Sequence, residues 1–279
     1  MSEITQESQI EIQPFSSEKV NINVLLEAGA HFGHQKSKWN PKMKEFIFAT
    51  KGNVHIINLQ KTLEKLKDAY NFVKEMAKKG AKFLFVGTRK QAQDIIKQEA
   101  VACGQFYVNK KWIPGTLTNF HSVRKAVQNL MRIEKMEVDG SINQLPKSEI
   151  SKLMKLKKRL SERLEGIRDM KSLPDVLYVV DITKEEIAVN EARKLGIPIV
   201  AIVDTNSDPT LVDYPIPAND DAVRSIQIIT EVIKSAILEG ESFAMKREVE
   251  EEEEVEEKES YYVSEKIAEE VESLEDRES

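Results

Sequence analysis

The sequence predicts a three-layer α/β domain built on a parallel sheet, with a helical hairpin inserted into it. Three observations carry this. Strand and helix patterns alternate along most of the chain, several strands are unbroken apolar runs, and residues 119–173 show no strand pattern. Runs such as Leu177-Tyr178-Val179-Val180 and Ile199-Val200-Ala201-Ile202-Val203 suit strands covered by helices on both faces, the environment of a parallel sheet.

Residues 1–20 have no sustained period and are expected to form a flexible arm. Over 21–30, Ile22, Leu25 and Leu26 sit at helical spacing, so a short amphipathic helix follows the arm. Strand candidates at 46–49 and 55–59 flank Lys51-Gly52-Asn53, whose Gly and Asn suit a hairpin turn. Leu66, Tyr70, Val73 and Ala77 recur every three or four residues, which places a helix over 63–79 that Gly80 stops before a strand at 83–86. The alternation continues through helix 89–102, strands 106–108 and 176–180, helix 184–194, strand 197–203 and helix 219–238. The single cysteine, Cys103, excludes an internal disulfide and a cysteine-based zinc site, fits a reducing cytoplasm, and reads as a core residue at a helix end.

Within the strandless stretch, Asp139-Gly140-Ser141 and Pro146 separate two helical arms. The first offers Val123, Val127, Leu130 and Met131, and the second Leu153, Leu156, Leu160, Leu164 and Ile167, so the stripes can zip into an antiparallel coiled coil. The expected organisation is thus an arm (1–20), a sheet domain (21–118 and 173–240), a coiled-coil hairpin (119–172) and an acidic low-complexity tail (241–279). The tail, with runs such as 248–257, cannot bury enough apolar surface to fold alone and is expected to be disordered.

The formal net charge of -6 averages regions of opposite character. Residues 241–279 hold 17 acids and 5 bases, a net of -12, and the first 20 residues add -3, which leaves 21–240 at +9. A cationic body of this kind suits a polyanionic partner. No apolar run approaches the roughly 20 residues of a spanning helix, and the N-terminus lacks a basic region followed by an apolar one, so a soluble, unexported, cytoplasmic chain is expected.

A doubly wound sheet raises the possibility of a nucleotide-dependent enzyme, but the motifs disagree. Val86 runs into Gly87-Thr88-Arg89-Lys90, one glycine where the dinucleotide fingerprint needs three, and without phosphate-loop spacing. The amides of that helix start, with Arg89 and Lys90, suit an isolated RNA phosphate better than a cofactor. His31 and His34, three apart, lack a nearby third ligand and are expected to be structural, with Gly33 as a helix C-cap. Asp204, Asp208 and Asp213 lie in a Pro-rich loop where caps and turns explain them better than catalysis. No catalytic residue, cofactor, metal or small-molecule substrate is expected.

What remains is basic and aromatic interleaving. Lys36, Lys38, Trp39, Lys42 and Lys44 share a loop that Pro41 keeps from becoming a helix, and Lys110-Lys111-Trp112 repeats the theme. Lysines neutralise phosphates and an indole can stack on a splayed base, which needs no base-specific code. Residues 122–172, including Arg124 and Lys125, hold 13 bases against 7 acids, so the hairpin adds a cationic surface.

Several long motifs in order, LLEAGAHFGHQKSKWNPKMKEFIF (25–48), VHIINLQKT (54–62), FVGTRKQAQ (85–93), KWIPGTLTNF (111–120) and GIPIVAIVDTNSDPTLVDYPIPANDDA (196–222), resemble the S-two proteins of the bacterial small ribosomal subunit. The resemblance spans about residues 20–240. It implies a flavodoxin-like or Rossmann-like sheet domain with an inserted coiled-coil hairpin, binding to small-subunit rRNA, neighbouring small-subunit ribosomal proteins as partners, help in recruiting the large multi-OB-fold mRNA-binding ribosomal protein, and no catalytic site. Carried over by motif position, it points to Lys36, Lys38, Trp39 and Lys42 as RNA contacts. The glutamate-rich extension after Gly240 departs from the shared pattern.

Overall fold

The computed structural model of the chain describes residues 20–245. Apart from Val20, which is buried, the expected arm lies outside the described residues, as does the acidic stretch beyond 245. The first element, α1 (Ile22–Glu27), is capped by Asn21, whose side chain accepts from Val24 N at 3.0 Å. Three short strands follow: β1 (Phe32–Gln35), β2 (Ile47–Lys51) and β3 (Val54–Ile57), an antiparallel sheet in the order β1-β3-β2. The expected hairpin around Gly52 is present, joined by a third strand whose four residues carry no readable period. Leu59 belongs to α2 (Leu59–Lys78), not to the preceding strand, because Asn58 accepts from Gln60 N at 3.0 Å and starts the helix there.

The main sheet is assembled from β4 (Phe83–Val86), α3 (Lys90–Ala102), β5 (Phe106–Val108), the helices α4 (Phe120–Val138) and α5 (Lys147–Leu164), β6 (Val176–Val180), α6 (Glu186–Leu195), β7 (Ile199–Val203), β8 (Tyr214–Pro217) and a last helix, α7, over 223–245. All four strand pairings are parallel, in the order β5-β4-β6-β7-β8, the 2-1-3-4-5 order of flavodoxin-like doubly wound sheets. Sequence reading placed 214–217 in a loop because of Pro215 and Pro217; at a sheet edge, a strand with missing N–H donors is tolerated.

Alternating strand residues feed two cores. Phe83, Phe85 and Tyr178 pack with α2, α3 and α7 on one face; Leu84, Val86 and Leu177 pack with α6, the base of α4 and α5, and Met43 and Phe46 on the other. Fully burying each such side chain contributes about 1.5–3 kcal/mol, which is why these strands tolerate no polar face. Phe85 meets Tyr178 edge-on at 5.2 Å, and the Tyr178 hydroxyl finds Thr230 Oγ1 at 2.9 Å. Cys103 is buried at the end of α3.

In the pair formed by α4 and α5, Val123, Val127 and Leu130 are buried as the period requires, but Met131 is 37% exposed and Ile133 takes its place. Leu153, Leu156 and Leu160 are only half-buried, because a pair of helices covers its outer stripe from one side, while Leu164 and Ile167 at the base are fully covered. Arg168 with Glu134 (2.8 Å) and Lys157 with Glu137 add ion pairs across the two arms. The boundary expected at Gly240 runs through α7. Gly240 does not stop that helix because it packs on α2, where a Cβ would come within 2.5 Å of Ala77 Cβ, and Glu241 accepts from Gln105 Nε2 at 2.9 Å.

Candidate nucleic-acid interface

Parallel strands deliver their following loops to one edge of the sheet, so residues far apart in sequence meet there. Over β6, β7 and β8 those loops supply Asp181, Asp204, Asp220 and Asp221. Arg89, just before α3, ion-pairs with Asp181 and Asp221. His34 of β1 reaches over from the small sheet, its Nδ1 3.1 Å from Asp204 Oδ2 and its Nε2 3.5 Å from Asp221 Oδ2. The hydrogen bond to Asp204 raises the affinity of His34 for its proton, against the opposing effect of burial. Asp220 is fully buried, neither of its oxygens has a hydrogen-bond partner among the described residues, and its carboxyl is pushed up to about 8, by burial first and then by Asp204 and Asp181.

This cluster corrects the sequence reading of the histidines. Gly33 is a β1 residue rather than a helix cap, and a Cβ there would lie 2.6 Å from the Thr205 side chain. His34, Asp204 and Asp220 each offer a ligand atom within 4.8 Å of the others, a mixed nitrogen and oxygen set that a divalent cation can use, whereas His31 packs against Phe32 at 4.0 Å. Asp208 and Asp213 do perform turn chemistry: Asp208 accepts from Thr210 N at 3.0 Å, and Asp213 from Ile199 N at 2.8 Å.

The basic residues divide by what already holds them. Lys36, Lys38, Lys44, Lys90, Lys111 and Lys125 are exposed and make no ion pair with another described residue. Lys42 donates to Asp208 Oδ2 at 2.7 Å and Thr210 Oγ1 at 3.0 Å, and Lys110 to Gln93 Oε1 at 2.9 Å. Arg124 donates to the Arg168 carbonyl at 2.9 Å and ties the two arms together. Trp39 is half-buried, 5.2 Å from the His55 ring. Trp112 is 6% exposed, so it presents an edge and not an open stacking face, and Arg89 is held by two carboxylates.

The Trp112 indole donates instead to Glu191 of α6 at 3.1 Å. The same carboxylate accepts from Gly115 N, Leu117 N, Thr118 N and Thr118 Oγ1 at 2.7 to 3.0 Å, so one side chain fixes the whole turn after β5. Burial pushes the Glu191 carboxyl up, but these donors outweigh it and hold it below the ordinary glutamate range. Sequence reasoning missed Glu191, Lys184, Asp181 and the Asp220 and Asp221 pair. The position of Asp181 and Asp204 directly after apolar strands was a usable signal; the approach of His34, 171 residues from Thr205, whose hydroxyl its N–H meets at 2.8 Å, had none.

Residues 25–240 match the ribosomal protein S2 family. The small ribosomal subunit protein uS2 of Dictyoglomus thermophilum is 54% identical over 222 residues, which cover 80% of this chain and 90% of that protein.

Proposed function

The chain belongs to the ribosomal protein S2 family, which is not an enzyme family, and from that premise we propose that it serves translation as a structural constituent of the small ribosomal subunit, turning exposed lysines toward small-subunit rRNA. The observation that carries the reading is the segment holding Lys36, Lys38 and Lys44. It is not the helix-free loop expected from Pro41 but two short 3-10 helices, Lys36–Lys38 and Pro41–Phe46, because Pro41 suits the first position of a helical turn. It carries three exposed ammonium groups and is braced by Met43 and Phe46, both buried in the core. A rigid cationic segment neutralises phosphates without having to be ordered on binding. Lys42, Lys90, Lys110, Lys111 and Lys125 extend the surface, with Trp39 as its aromatic member. Neighbouring small-subunit proteins, including the large multi-OB-fold mRNA-binding protein, are the partners the family resemblance implies, and the cytoplasm is the matching compartment. Among the described residues no helix is long and apolar enough to cross a membrane.

Sucrose-gradient sedimentation of a lysate after a moderate salt wash tests the reading. The protein is expected with small subunits and whole ribosomes; recovery only in the soluble top fractions overturns it.

A further inference from the structure

Strand order reverses between β4 and β6: the chain leaves β4 toward β5 on one side and returns through α4 and α5 to β6 on the other. Doubly wound sheets open a crevice at the carboxyl ends of such strands. Here it is a cavity of about 380 Å³, lined by Thr88 after β4, by Lys110, Lys111 and Trp112 after β5, and by Lys184 and Ile187 at the start of α6. That volume lies at the small end of the range for ligand pockets, enough for a single nucleotide unit.

Three ammonium groups face this crevice. Its one acid, Glu185, is buried and turned to Thr88, accepting from Thr88 N at 2.9 Å and Thr88 Oγ1 at 2.6 Å, and burial raises its proton affinity. The lysines stand on fixed supports, since the Glu191 clamp holds the turn after Trp112. Ile187, 51% exposed, provides an apolar wall on which a ribose or base can lie.

The glycine that usually admits a phosphate to the backbone at this place is used otherwise, and the Thr88 amide is taken by Glu185. A Cβ on Gly87 would sit 2.9 Å from Ile96 and 3.2 Å from Ala92, so this glycine serves helix packing and not the approach of a phosphate to the backbone. Arg89 faces the carboxylates. Recognition by ammonium charge alone, without a cradle of amides, suits a phosphate that other contacts of the same strand help to hold.

We propose that this crevice is a binding subsite for the phosphate oxyanion of a single unpaired nucleotide, gripped by Lys110, Lys111 and Lys184 with its sugar or base against Ile187. The inference rests on the RNA-binding reading above and assigns it a second, separate contact. The phosphate can come from an RNA strand or from a free nucleotide, and the geometry favours the strand.

The test compares the full-length chain with a Lys111→Ala/Lys184→Ala variant and with a Lys36→Ala/Lys38→Ala/Lys44→Ala variant, each checked for an unchanged melt. Binding is titrated against a single-stranded uridine 12-mer, a blunt RNA duplex and uridine 5′-monophosphate over a range of salt. The crevice variant is expected to lose several-fold in affinity for the 12-mer and to flatten its log–log salt slope by about 0.7 per lysine removed. It should lose less on the duplex, and the wild-type chain should hold the monophosphate only at millimolar concentration. Micromolar, Lys184-dependent binding of the monophosphate would assign the same oxyanion site to a free nucleotide. An unchanged 12-mer affinity and slope in the crevice variant, with losses in the loop variant, overturns the crevice while leaving the RNA reading intact. A wild-type chain that binds none of the three probes overturns both.

Discussion

Over β6, β7 and β8 the strand ends carry Asp181, Asp204, Asp220 and Asp221, whereas beyond β4 and β5 they carry Thr88, Lys110 and Lys111, with Lys184 closing the gap. The two halves of one sheet edge occupy equivalent places in the fold, yet their charges are handled differently. Asp181, Asp204 and Asp221 are paired inside the chain, with Arg89 and with His34 from the small sheet, and Asp220 lies buried among them. The lysines are exposed and face outward. Charge answered internally contributes to folding, and charge left unanswered at a surface waits for a partner.

Breaking the internal answer should have the largest effect. Arg89→Ala leaves Asp181, at 0% exposure, without its cation; breaking a fully buried pair costs about 3–5 kcal/mol, and because Arg89 is itself 26% exposed the loss falls at or below the low end of that range. Denaturant unfolding reads that loss directly. RNA affinity of the folded fraction should hardly move; a variant of normal stability and reduced RNA affinity would return Arg89 to the interface and erase the distinction between the halves.

A smaller effect of opposite sign is expected at Asp220. Its folded carboxyl titrates near 8 and the unfolded one in the ordinary range, so ionisation is resisted only in the folded state. The penalty is absent below about pH 4, the ordinary aspartate range, and grows as pH rises toward the folded value. Asp220→Asn should therefore stabilise the chain at neutral pH and leave its stability unchanged in acid. Thermal melts across pH in a chelating buffer, where no divalent cation can neutralise the cluster, provide the measurement. Equal pH profiles for the two chains would show that burial does not resist the ionisation of Asp220, and would overturn the prediction.

Much of the frame was legible because local patterns and tertiary burial agree. Leu66, Tyr70, Val73 and Ala77 are all buried at the spacing that announced α2, and the FLFV run of β4 is covered on both faces, as its lack of alternation required. β8 was hidden because prolines speak for turns unless the strand is known to lie at an edge, which is a property of the whole sheet. The site was less legible for the same kind of reason. Trp112 and Arg124 have the composition of an RNA face but are held by Glu191 and the Arg168 carbonyl. Lys184 looks like any helix-start lysine until the sheet brings it opposite Lys111.

The smallest effect is expected from the acidic extension, and the sheet's polarity explains why. Around the end of α7, Glu241 accepts from Gln105, just before β5, and Phe243 lies 4.9 Å from Lys74 Nζ and 5.2 Å from Lys78 Nζ. The last described residues thus lie at the amino edge of the sheet, opposite the lysines of the carboxyl edge. Because α7 continues past Gly240, the truncation that isolates the extension falls after Met245, where it spares these contacts and removes 16 acids against 5 bases. Folding stability should be unchanged. Affinity for rRNA should be equal or slightly higher, since the removed charge repels phosphate only over a Debye length of about 8 Å at physiological salt. The gain should grow at low salt, where screening weakens, and vanish at high salt. Salt titrations of rRNA binding for the full and truncated chains check this, and a clear loss of affinity on truncation at every salt concentration would place the extension among the RNA contacts.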